Sequence, residues 1–347
     1  TGNIQGKKRF HFEAFWPKLE GFHEVVQAAW DSVHNIRCPF LTLDRKLGAT
    51  ARKLQSWSNK QVGHVRIQLA LAKELLHRLE IAQDERALSP AENWFMNRLK
   101  KQSLLLSSFK RTMARLRSRI TWLGEGDANT KFFHIHARHR KKRNFVAKLV
   151  DGGHILSEHS EKAAAVDLFY KNLIGQDGQR DVTIDLAALG LPRYNLAALD
   201  SPFTEKEVLE SIKGLPSDKA PGPDGFTGLF FKVCWNIVKS DIMAVVSTVW
   251  SRSFSNFWKL NTAYITMVPK RDGAEQVKDF RPISLVHSIA KLITKILANR
   301  LAPRLNELVS PNQSAFIKGR FIQDNFMLVQ QTTRLFHQQR LSRLLLK

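Results

Sequence analysis

The stretch YITMVPKRDGAEQVKDFRPISL, residues 264–285, decides the fold of the C-terminal part of the chain. Each of its ends is rich in β-branched and aromatic residues, and a polar loop around Arg271-Asp272-Gly273 separates the ends. This pattern predicts two antiparallel strands, Tyr264 to Val268 and Asp279 to Leu285, joined as a hairpin. A β-hairpin is therefore expected in a region whose other segments have helical periodicity.

Two basic residues, Lys270 and Arg281, lie near opposite ends of the hairpin loop. Arginine presents a planar guanidinium that binds phosphate oxygens in a bidentate manner, and lysine supplies a compact point charge. The pair is therefore a candidate clamp for a triphosphate. From spacing alone, two solvated loop residues are the alternative.

Helices are predicted on both sides of the hairpin. Apolar residues at three- and four-residue steps indicate helices over Phe230 to Trp250 and over Ile289 to Leu301, and Pro303 is expected to end or kink the second. Upstream, Thr204-Glu205-Lys206-Glu207 forms a capping box that opens a short helix. The fold class is therefore predicted as α+β and mostly helical.

The first 122 residues are also predicted to be mostly helical. Ser89-Pro90-Ala91-Glu92 combines an N-cap serine, a proline at the first helical position and an answering glutamate, which predicts that a second long helix begins there. The result is a helical hairpin with lysine and arginine outside. It is either a structural pair of helices with solvated charges or an arm that faces nucleic acid.

The charge of the chain points to a polyanionic partner. Its 347 residues carry a formal net charge of +23, which makes acidic proteins, small neutral metabolites and lipid tails unlikely partners. Residues 100–150 and 225–347 each carry +12, residues 1–99 carry +5, and residues 151–224 carry −6. Nucleic acid, RNA or DNA, is therefore the expected partner of two basic blocks that an acidic one separates.

Two further composition features concern the compartment. With only two cysteines, the chain has neither a disulfide framework nor a cysteine-rich zinc site, which favours a reducing compartment, nuclear or cytoplasmic. No apolar run approaches the roughly 20 residues of a membrane span, so no membrane association is expected.

The densest basic segment is a predicted helix that follows a glycine-containing turn in which Asp127 is a candidate cap. Three histidines in this helix do not have zinc-ligand spacing, since no cysteine or carboxylate follows at the required distance. Contact with phosphates is the preferred interpretation. The candidate nucleic-acid-binding residues of this helix are Lys131, Arg138, Arg140, Lys141, Lys142 and Arg143.

The acidic middle of the chain begins with a small predicted hairpin. Residues 145–156 are expected to form two strands turned by Asp151-Gly152, and a helix from Ala163 to Leu173 is expected to stop at Gly175. Residues 176–199 alternate glycine, aspartate, proline and short apolar pieces, which is typical of a surface connection.

Five motifs in order make the chain recognisable. The series closely resembles the fingers half of the reverse transcriptase of non-LTR (LINE-type) retrotransposons, plant lineages in particular. The resemblance is strong from about residue 200 to 347 and looser from 1 to 175. The motifs are KAPGPDGF (219–226), VPK (268–270), DFRPISL (279–285), KILANRL (295–301) and QSAFIKGRFIQDN (313–325), with WLGEGDANTKFFH (122–134) as a further match upstream.

The resemblance implies a partial right-hand polymerase, with fingers and the start of a palm in residues 201–347. It implies a basic helical extension in residues 1–144, and a hairpin, a helix and an acidic connector lie between, in residues 145–200. By the same resemblance, Lys270 and Arg281 contact the triphosphate of the incoming nucleotide. The residues expected along template and primer are Gly225, Phe226, Gly319, Arg320 and Asn325.

Nucleotidyl transfer needs two divalent metals held by a cluster of carboxylates. The family supplies an aspartate on a palm strand and an Asp-Asp pair, but this sequence contains no Asp-Asp dipeptide, and Asp224 and Asp324 are expected to be turn and helix-start residues. We therefore expect the chain to bind no cofactor and to lack catalytic residues and polymerase activity by itself. Mg²⁺ is expected only for the complete polymerase, in which a palm and thumb from a longer polyprotein are the partners.

Two other interpretations stay open from the sequence. The first is a non-catalytic nucleic-acid-binding protein derived from a retrotransposon. The second is a maturase-like splicing factor, because group II intron proteins share the fingers, although the motif wording is closer to LINE elements.

Overall fold

The computed structural model describes residues 9–34, 36–61, 65–118, 120, 130–175, 183–185, 188–190, 192 and 194–340. The helices are α1 (Phe22–Asp31), α2 (Pro39–Gln61), α3 (Val65–Glu85), α4 (Pro90–Ser118), α5 (Thr130–Arg143), α6 (His159–Ile174), α7 (Glu205–Lys213), α8 (Gly228–Val233), α9 (Trp235–Trp250), α10 (Ser288–Leu301), α11 (Leu305–Leu308) and α12 (Ile322–Gln339). The strands are β1 (Leu149–Asp151), β2 (His154–Leu156), β3 (Ala263–Pro269) and β4 (Phe280–Val286). The predicted mostly helical α+β class is confirmed.

The long helical hairpin forms as predicted from α3 and α4. Helix α4 begins at Pro90, and the predicted capping box is present: the Ser89 N–H donates to Glu92 Oε2 at 2.8 Å, and the Glu92 N–H donates to Ser89 Oγ at 3.3 Å. The Arg86 guanidinium, followed by the Ser89 bonds, lowers the pKa of Glu92 to about 2. Because these groups lie within seven residues of one another, the sequence suffices to place this boundary.

The main core joins the two ends of the chain. Phe12, Phe22 and Trp57 lie in the same cluster of buried side chains as Phe230 and Ile289. The part of the predicted extension that carries Phe12, Phe22 and Trp57 is thus continuous in packing with the predicted polymerase segment. The predicted domain boundaries, 1–144, 145–200 and 201–347, stay predictions.

A polar contact reinforces this junction. Asp241 on α9 accepts hydrogen bonds from Trp30 Nε1 at 2.7 Å and from Lys46 Nζ at 2.8 Å, both at its Oδ2 atom. The carboxylate and ammonium are each about 15% exposed, so the pair is sheltered from solvent. It holds α1 and α2 against α9.

The small hairpin β1–β2 forms, but its turn is displaced by one residue from the prediction. Asp151 pairs with His154, so the two-residue turn is Gly152-Gly153 and not Asp151-Gly152. Both glycines have positive φ, 53° and 84°, as a type I′ turn requires. Asp151 is therefore the last strand residue, because two adjacent glycines adopt this turn with less strain than aspartate and glycine.

Residues 145–175, here called the hairpin–helix unit, comprise β1, β2 and α6. Helix α6 ends at Ile174 and, as predicted, is stopped by Gly175, whose φ is 80°. A second, smaller core joins the unit to the β3–β4 hairpin: Leu149 packs with Val277 and Phe280. The unit is therefore not only a connection but is packed against the loop of the larger hairpin.

Several predictions concern residues outside the described ranges. They are the turn around Asp127, most of the 176–199 connection, and residues 341–347 at the end of the segment that is predicted to contain the start of a palm. Within the described ranges, none of the helices is long and apolar enough to cross a membrane.

Candidate triphosphate and nucleic-acid interface

The register of the β3–β4 hairpin brings Lys270 and Arg281 together. Val268 pairs with Arg281, and the Lys270 N–H donates to the Asp279 carbonyl at 2.9 Å. Because paired residues and residues two apart share a face, Lys270 and Arg281 are diagonal neighbours on one face, about 7 to 8 Å apart. Both side chains are exposed. Lys270 and Arg281 thus lie on the same face of the hairpin, where both could bind one polyanion.

The two cations have different surroundings. Lys270 Nζ donates to the Lys278 carbonyl at 2.6 Å, which holds the ammonium across the mouth of the loop. Within the described part of the chain, the Arg281 guanidinium has neither a hydrogen bond nor an ion pair. Lys270 is therefore held in place, and Arg281 has its full set of donors free for a ligand.

Asp279 organises the loop between the two cations. Its carboxylate accepts from the Gln276 N–H at 3.2 Å and from Arg271 Nη2 at 3.1 Å. The Gln276 bond, with a further contribution from Arg271, lowers the pKa of Asp279. Its negative charge is thus compensated by Arg271, and it does not neutralise Arg281.

The KAPGPDGF motif forms a turn enclosed by two other segments. The Gly225 N–H donates to the Gly222 carbonyl at 3.1 Å, and the Phe12 N–H donates to the Gly225 carbonyl at 2.9 Å. A Cβ on Gly222 would overlap the Val286 carbonyl, and Gly225 has a φ of 77°. Both glycines are therefore required by close backbone approach and backbone conformation.

Asp224 in this turn serves the helix that follows β4. Its carboxylate accepts from the Ser288 N–H at 3.2 Å and from the Ser288 hydroxyl. Ser288 is the first residue of α10, where backbone N–H groups have no partner within the helix and the helix dipole favours a negative charge. Asp224 therefore has a structural role at a helix start.

Gly225 and Phe226 are buried, and their predicted contact with nucleic acid stays a prediction. Phe226 is 1% exposed, and its ring lies 4.3 Å from that of Phe230 and 5.0 Å from that of Phe10. Gly225 is buried as well. The two residues shape the turn from inside, because an apolar ring with aromatic neighbours is more stable packed than solvated.

Arg320 also has a structural role, although it was predicted to lie along template and primer. Its guanidinium donates to four backbone carbonyls, which folds the loop between α11 and α12 around one side chain and leaves few donors for a phosphate. The acceptors are the carbonyls of Ser310 at 2.6 Å, Gln313 at 2.8 Å, Val309 at 3.1 Å and Asn306 at 3.4 Å.

The other two predicted residues, Gly319 in the loop and Asn325 in the first turn of α12, are both exposed. Asn325 Nδ2 donates to the Asn312 carbonyl at 3.0 Å, so its amide also supports the loop. Gly319 is exposed with a φ of 85°, and its surroundings leave space around the backbone. Gly319 is therefore the residue of this group that offers an open backbone surface.

Helix α5 presents most of its predicted basic residues to solvent. Phe133 is buried at 2% exposure on the face where α5 packs against α4, and Arg140 donates to the Ser118 carbonyl at 2.9 Å. Arg140 thus helps to anchor the helix. The exposed basic residues are Lys131, Arg138, Lys141, Lys142 and Arg143.

Sequence reasoning missed Arg300, which connects α10 to α7. Its guanidinium binds both carboxylate oxygens of Glu207 at 2.9 Å and lies 3.8 Å from the centre of the Phe203 ring. Burial acts to raise the pKa of Glu207, but hydrogen bonds from Thr204 and Arg300 outweigh it, and the pKa is lowered. The capping box predicted the contact of Glu207 with Thr204, which is three positions away. The contact of Glu207 with Arg300 was not predictable in this way, because the two residues are 93 positions apart.

His287, the N-cap of α10, was missed as well. It is 4% exposed, and its Nδ1 accepts from the Ile289 N–H at 3.2 Å. Burial lowers the pKa of His287, against the opposite effect of Asp224 and Asp44. The lowered pKa favours the neutral imidazole, which is the form whose Nδ1 accepts this hydrogen bond.

The fold and these surfaces define a class: a basic α+β protein with a hairpin that carries two cations on one face. No family model matches the chain. It is 25% identical over 332 residues to a 149 kDa protein of transposon TX1 from Xenopus laevis, which covers 92% of this chain and 25% of that protein.

Two further relatives extend the comparison. A Pol polyprotein from the type-1 retrotransposable element R1 of Bradysia coprophila is 24% identical over 58% of this chain and 19% of its own length. A probable RNA-directed DNA polymerase from transposon BS of Drosophila melanogaster is 30% identical over 34% of this chain and 13% of its own length. The chain is thus a homologue of proteins of non-LTR (LINE-type) retrotransposons and spans at most a quarter of the length of these relatives. The plant lineage stays a prediction.

Proposed function

We propose that the chain forms the fingers and the start of the palm of a LINE-type RNA-directed DNA polymerase, preceded by a basic helical extension. The proposal rests on one observation above all: the β3–β4 register puts Lys270 and Arg281 on one face of a hairpin. The names of two relatives, a Pol polyprotein and a probable RNA-directed DNA polymerase, support the same function.

The two cations suit a nucleoside triphosphate. The Arg281 guanidinium has the fork geometry for two oxygens of one phosphate. The Lys270 ammonium has three donors, of which the Lys278 carbonyl uses one, so two are available for a second phosphate. This geometry holds the triphosphate in place, and the residues described at the clamp supply no group that would act on the primer.

In the complete polymerase, Mg²⁺ supplies charge stabilisation for the transferring phosphoryl group. The residues present in this chain do not fit that role. The sequence has no Asp-Asp dipeptide, and within the described ranges no group of three histidine, cysteine, aspartate or glutamate side chains is placed to hold a metal ion. The proposed contribution of this chain is therefore binding of nucleotide, template and primer.

The exposed basic residues of α5 are the proposed phosphate contacts of the extension. Five lysine and arginine side chains extend from one short helix, while Phe133 and Arg140 anchor that helix to α4. Gly319 adds an open backbone surface near the start of α12. A template-primer of RNA and DNA is the proposed partner of these surfaces.

A second candidate function is a non-catalytic nucleic-acid-binding protein derived from a retrotransposon. The exposed basic residues of α5 favour it, because contact with phosphates needs no catalytic group. Neither proposal expects the purified 347-residue chain to extend a primer with Mg²⁺ or Mn²⁺. Primer extension by this chain would therefore contradict both. We expect no extension above background.

Binding of a fluorescent deoxynucleoside triphosphate tests the clamp directly. We expect Arg281→Ala and Lys270→Ala each to weaken binding about tenfold or more, since charge-assisted hydrogen bonds contribute about 1.5 to 3 kcal/mol each. Lys278→Ala is the matched control, because it removes an exposed lysine from the same loop but keeps the carbonyl that holds Lys270. Equal affinities for all four proteins would contradict the proposed clamp.

A further inference from the structure

The hairpin–helix unit, residues 145–175, is in direct contact with the loop that carries the proposed triphosphate clamp. Leu149 of β1 is 2% exposed and belongs to the same buried cluster as Val277 and Phe280, which are 6% and 3% exposed. Val277 lies inside the clamp loop, and Phe280 directly precedes Arg281. The unit therefore covers the face of the β3–β4 hairpin opposite to the two cations.

A backbone hydrogen bond adds to this packing. The Val150 N–H donates to the Glu275 carbonyl at 2.8 Å. Val150 faces Ile155 across the small hairpin, one position beyond the pair that closes the two-residue turn. In an antiparallel ladder such a residue points its N–H away from its partner strand, so the free edge of β1 binds the clamp loop.

Helix α6 holds the small hairpin in this position. Lys162 Nζ donates to the carbonyls of Val146 at 3.1 Å and Ala147 at 3.0 Å, just before β1. Phe169 and Tyr170 of the same helix pack on the small core. By contrast, the ion pair between Lys148 and Glu275 is about half exposed and contributes little.

Alternation along β4 links this packing to the cations. Phe280 and Arg281 are neighbours in a strand, so their side chains point to opposite faces. Burial of Phe280 under Leu149 therefore determines on which face of the β3–β4 hairpin the Arg281 side chain lies. On the other strand, Lys270 is held by the Lys278 carbonyl, and Lys278 follows the buried Val277.

From these contacts we propose that the hairpin–helix unit is a positioning element of the triphosphate clamp. Leu149 and the Val150 N–H hold residues 271–279 in the conformation that keeps Lys270 and Arg281 on one face. The inference rests on the proposed function, because it concerns the same triphosphate. It assigns to residues 145–175 a role in nucleotide affinity, beyond that of a connection between two nucleic-acid-binding parts.

Leu149→Ala in the full 347-residue chain tests this role, with a fluorescent deoxynucleoside triphosphate as the probe. We expect about tenfold weaker binding, because apparent affinity falls with the fraction of molecules in the binding-competent state. Ile155→Ala is the matched control, since it truncates an aliphatic side chain of the same hairpin that is 64% exposed. Affinity for single-stranded RNA should be unchanged in both variants.

Comparison of the Leu149→Ala variant with the Lys270→Ala and Arg281→Ala variants distinguishes failure of the positioning role from failure of the proposed function. If wild type binds the probe and Lys270→Ala or Arg281→Ala weakens binding, but Leu149→Ala matches Ile155→Ala, the positioning role is wrong and the clamp stands. If wild type does not bind, or the clamp variants bind like wild type, the proposed function itself is wrong. If the role is correct, Leu149→Ala should add no further loss to the Lys270→Ala, Arg281→Ala double variant.

A second variant covers the case in which Leu149→Ala does not fold. Val150→Pro removes the N–H that reaches Glu275 but leaves the ladder bonds of Asp151 and Leu149 to β2 in place. We expect faster amide hydrogen exchange in residues 271–279 and weaker probe binding. Unchanged exchange and unchanged affinity would overturn the inference.

Discussion

The β3–β4 hairpin and the turn at residues 219–226 carry equally recognisable sequence motifs, but the structure uses them in opposite ways. In the hairpin, Arg281 is exposed and has no partner within the described ranges, and Lys270 is held on the same face. In the turn, Phe226 is buried and Asp224 binds a helix start. A strong motif therefore does not by itself tell whether a residue is exposed or is buried in the fold.

The same lesson comes from two arginines that the resemblance assigned to ligand contact. The Arg281 guanidinium has no hydrogen-bond partner within the described ranges, whereas Arg320 donates to four backbone carbonyls, three in the loop before α12 and one in α11. Five positions were expected along template and primer on the strength of motifs alone. Two of them, Gly319 and Asn325, are exposed, and the Asn325 amide donates to the Asn312 carbonyl. Substitution of Phe226 or Arg320 should therefore lower the stability of the protein. Substitution of Lys270 or Arg281 should instead lower its affinity for the ligand.

The largest expected effect is loss of stability on truncation of the buried turn. Phe226→Ala should lower the free energy of unfolding by about 3 to 5 kcal/mol, because it leaves a cavity among Phe10, Phe12 and Phe230. Urea unfolding followed by circular dichroism measures it. Phe326→Ala on α12, where the ring is 68% exposed, is the control. Similar losses for the two variants would contradict the buried position of Phe226.

A smaller loss of stability is expected for Arg320→Ala. The change leaves four backbone carbonyls without their donor, which should cost about 1 to 3 kcal/mol in unfolding free energy after water replaces part of the bonding. Urea unfolding gives this value, and titration with single-stranded RNA measures affinity. We expect Arg281→Ala to show unchanged stability, and Arg320→Ala to show nearly unchanged RNA affinity. Loss of RNA binding with full stability in Arg320→Ala would reverse the assignment.

The basic helix should determine part of the salt dependence of RNA binding. Replacement of Lys141, Lys142 and Arg143 by glutamine should reduce the slope of log affinity against log salt by about 2, since each neutralised phosphate of a single strand contributes about 0.7. Fluorescence anisotropy at several salt concentrations measures the slope. The matched control replaces Lys53, Lys60 and Lys73, which are equally exposed on α2 and α3. Equal slopes for both triple variants would show that α5 is not a specific contact surface.

The smallest expected effect is a pH dependence at His287, next to the buried turn. The pKa of His287 is lowered in the folded state, so the unfolded chain binds a proton at higher pH than the folded chain does. The stability of the folded state therefore falls as pH decreases below the unfolded pKa of about 6.5. Thermal melting between pH 7 and pH 5 tests this. His287→Asn keeps an acceptor for the Ile289 N–H but does not titrate, so it should flatten the dependence in this window. The lowered carboxylates Glu92, Glu207 and Asp279 contribute only at more acidic pH.

Most secondary structure was predictable because short-range contacts stabilise it. The capping boxes at Ser89 to Glu92 and Thr204 to Glu207 place two helix starts, and glycine stops α6 at the expected residue. The one-residue error at Gly152-Gly153 arose because Asp-Gly and Gly-Gly both suit a type I′ turn. Only the pairing of Asp151 with His154 distinguishes the two.

The candidate site was predictable only in part. The proximity of Lys270 and Arg281 was predictable because residues at both ends of a hairpin loop are close whatever surrounds the hairpin, and their contact with a triphosphate stays a prediction. The roles of Phe226 and Arg320 were not predictable, because a residue's exposure depends on segments far away in the chain. Phe226 is covered by Phe10, and nothing near residue 226 indicates that partner.

The sequence by itself determined the helices, the two hairpins, the basic charge and the relation to LINE-type proteins, since all of these depend on residues within a few positions or on ordered motifs. The tertiary structure alone decided which motif residues face solvent. It also decided that residues 145–175 pack against the loop between β3 and β4. The contacts of Leu149 with Phe280 and of Val150 with Glu275 join residues more than a hundred positions apart. Such contacts depend on the complementary shape and hydrogen bonding of surfaces that exist only after folding.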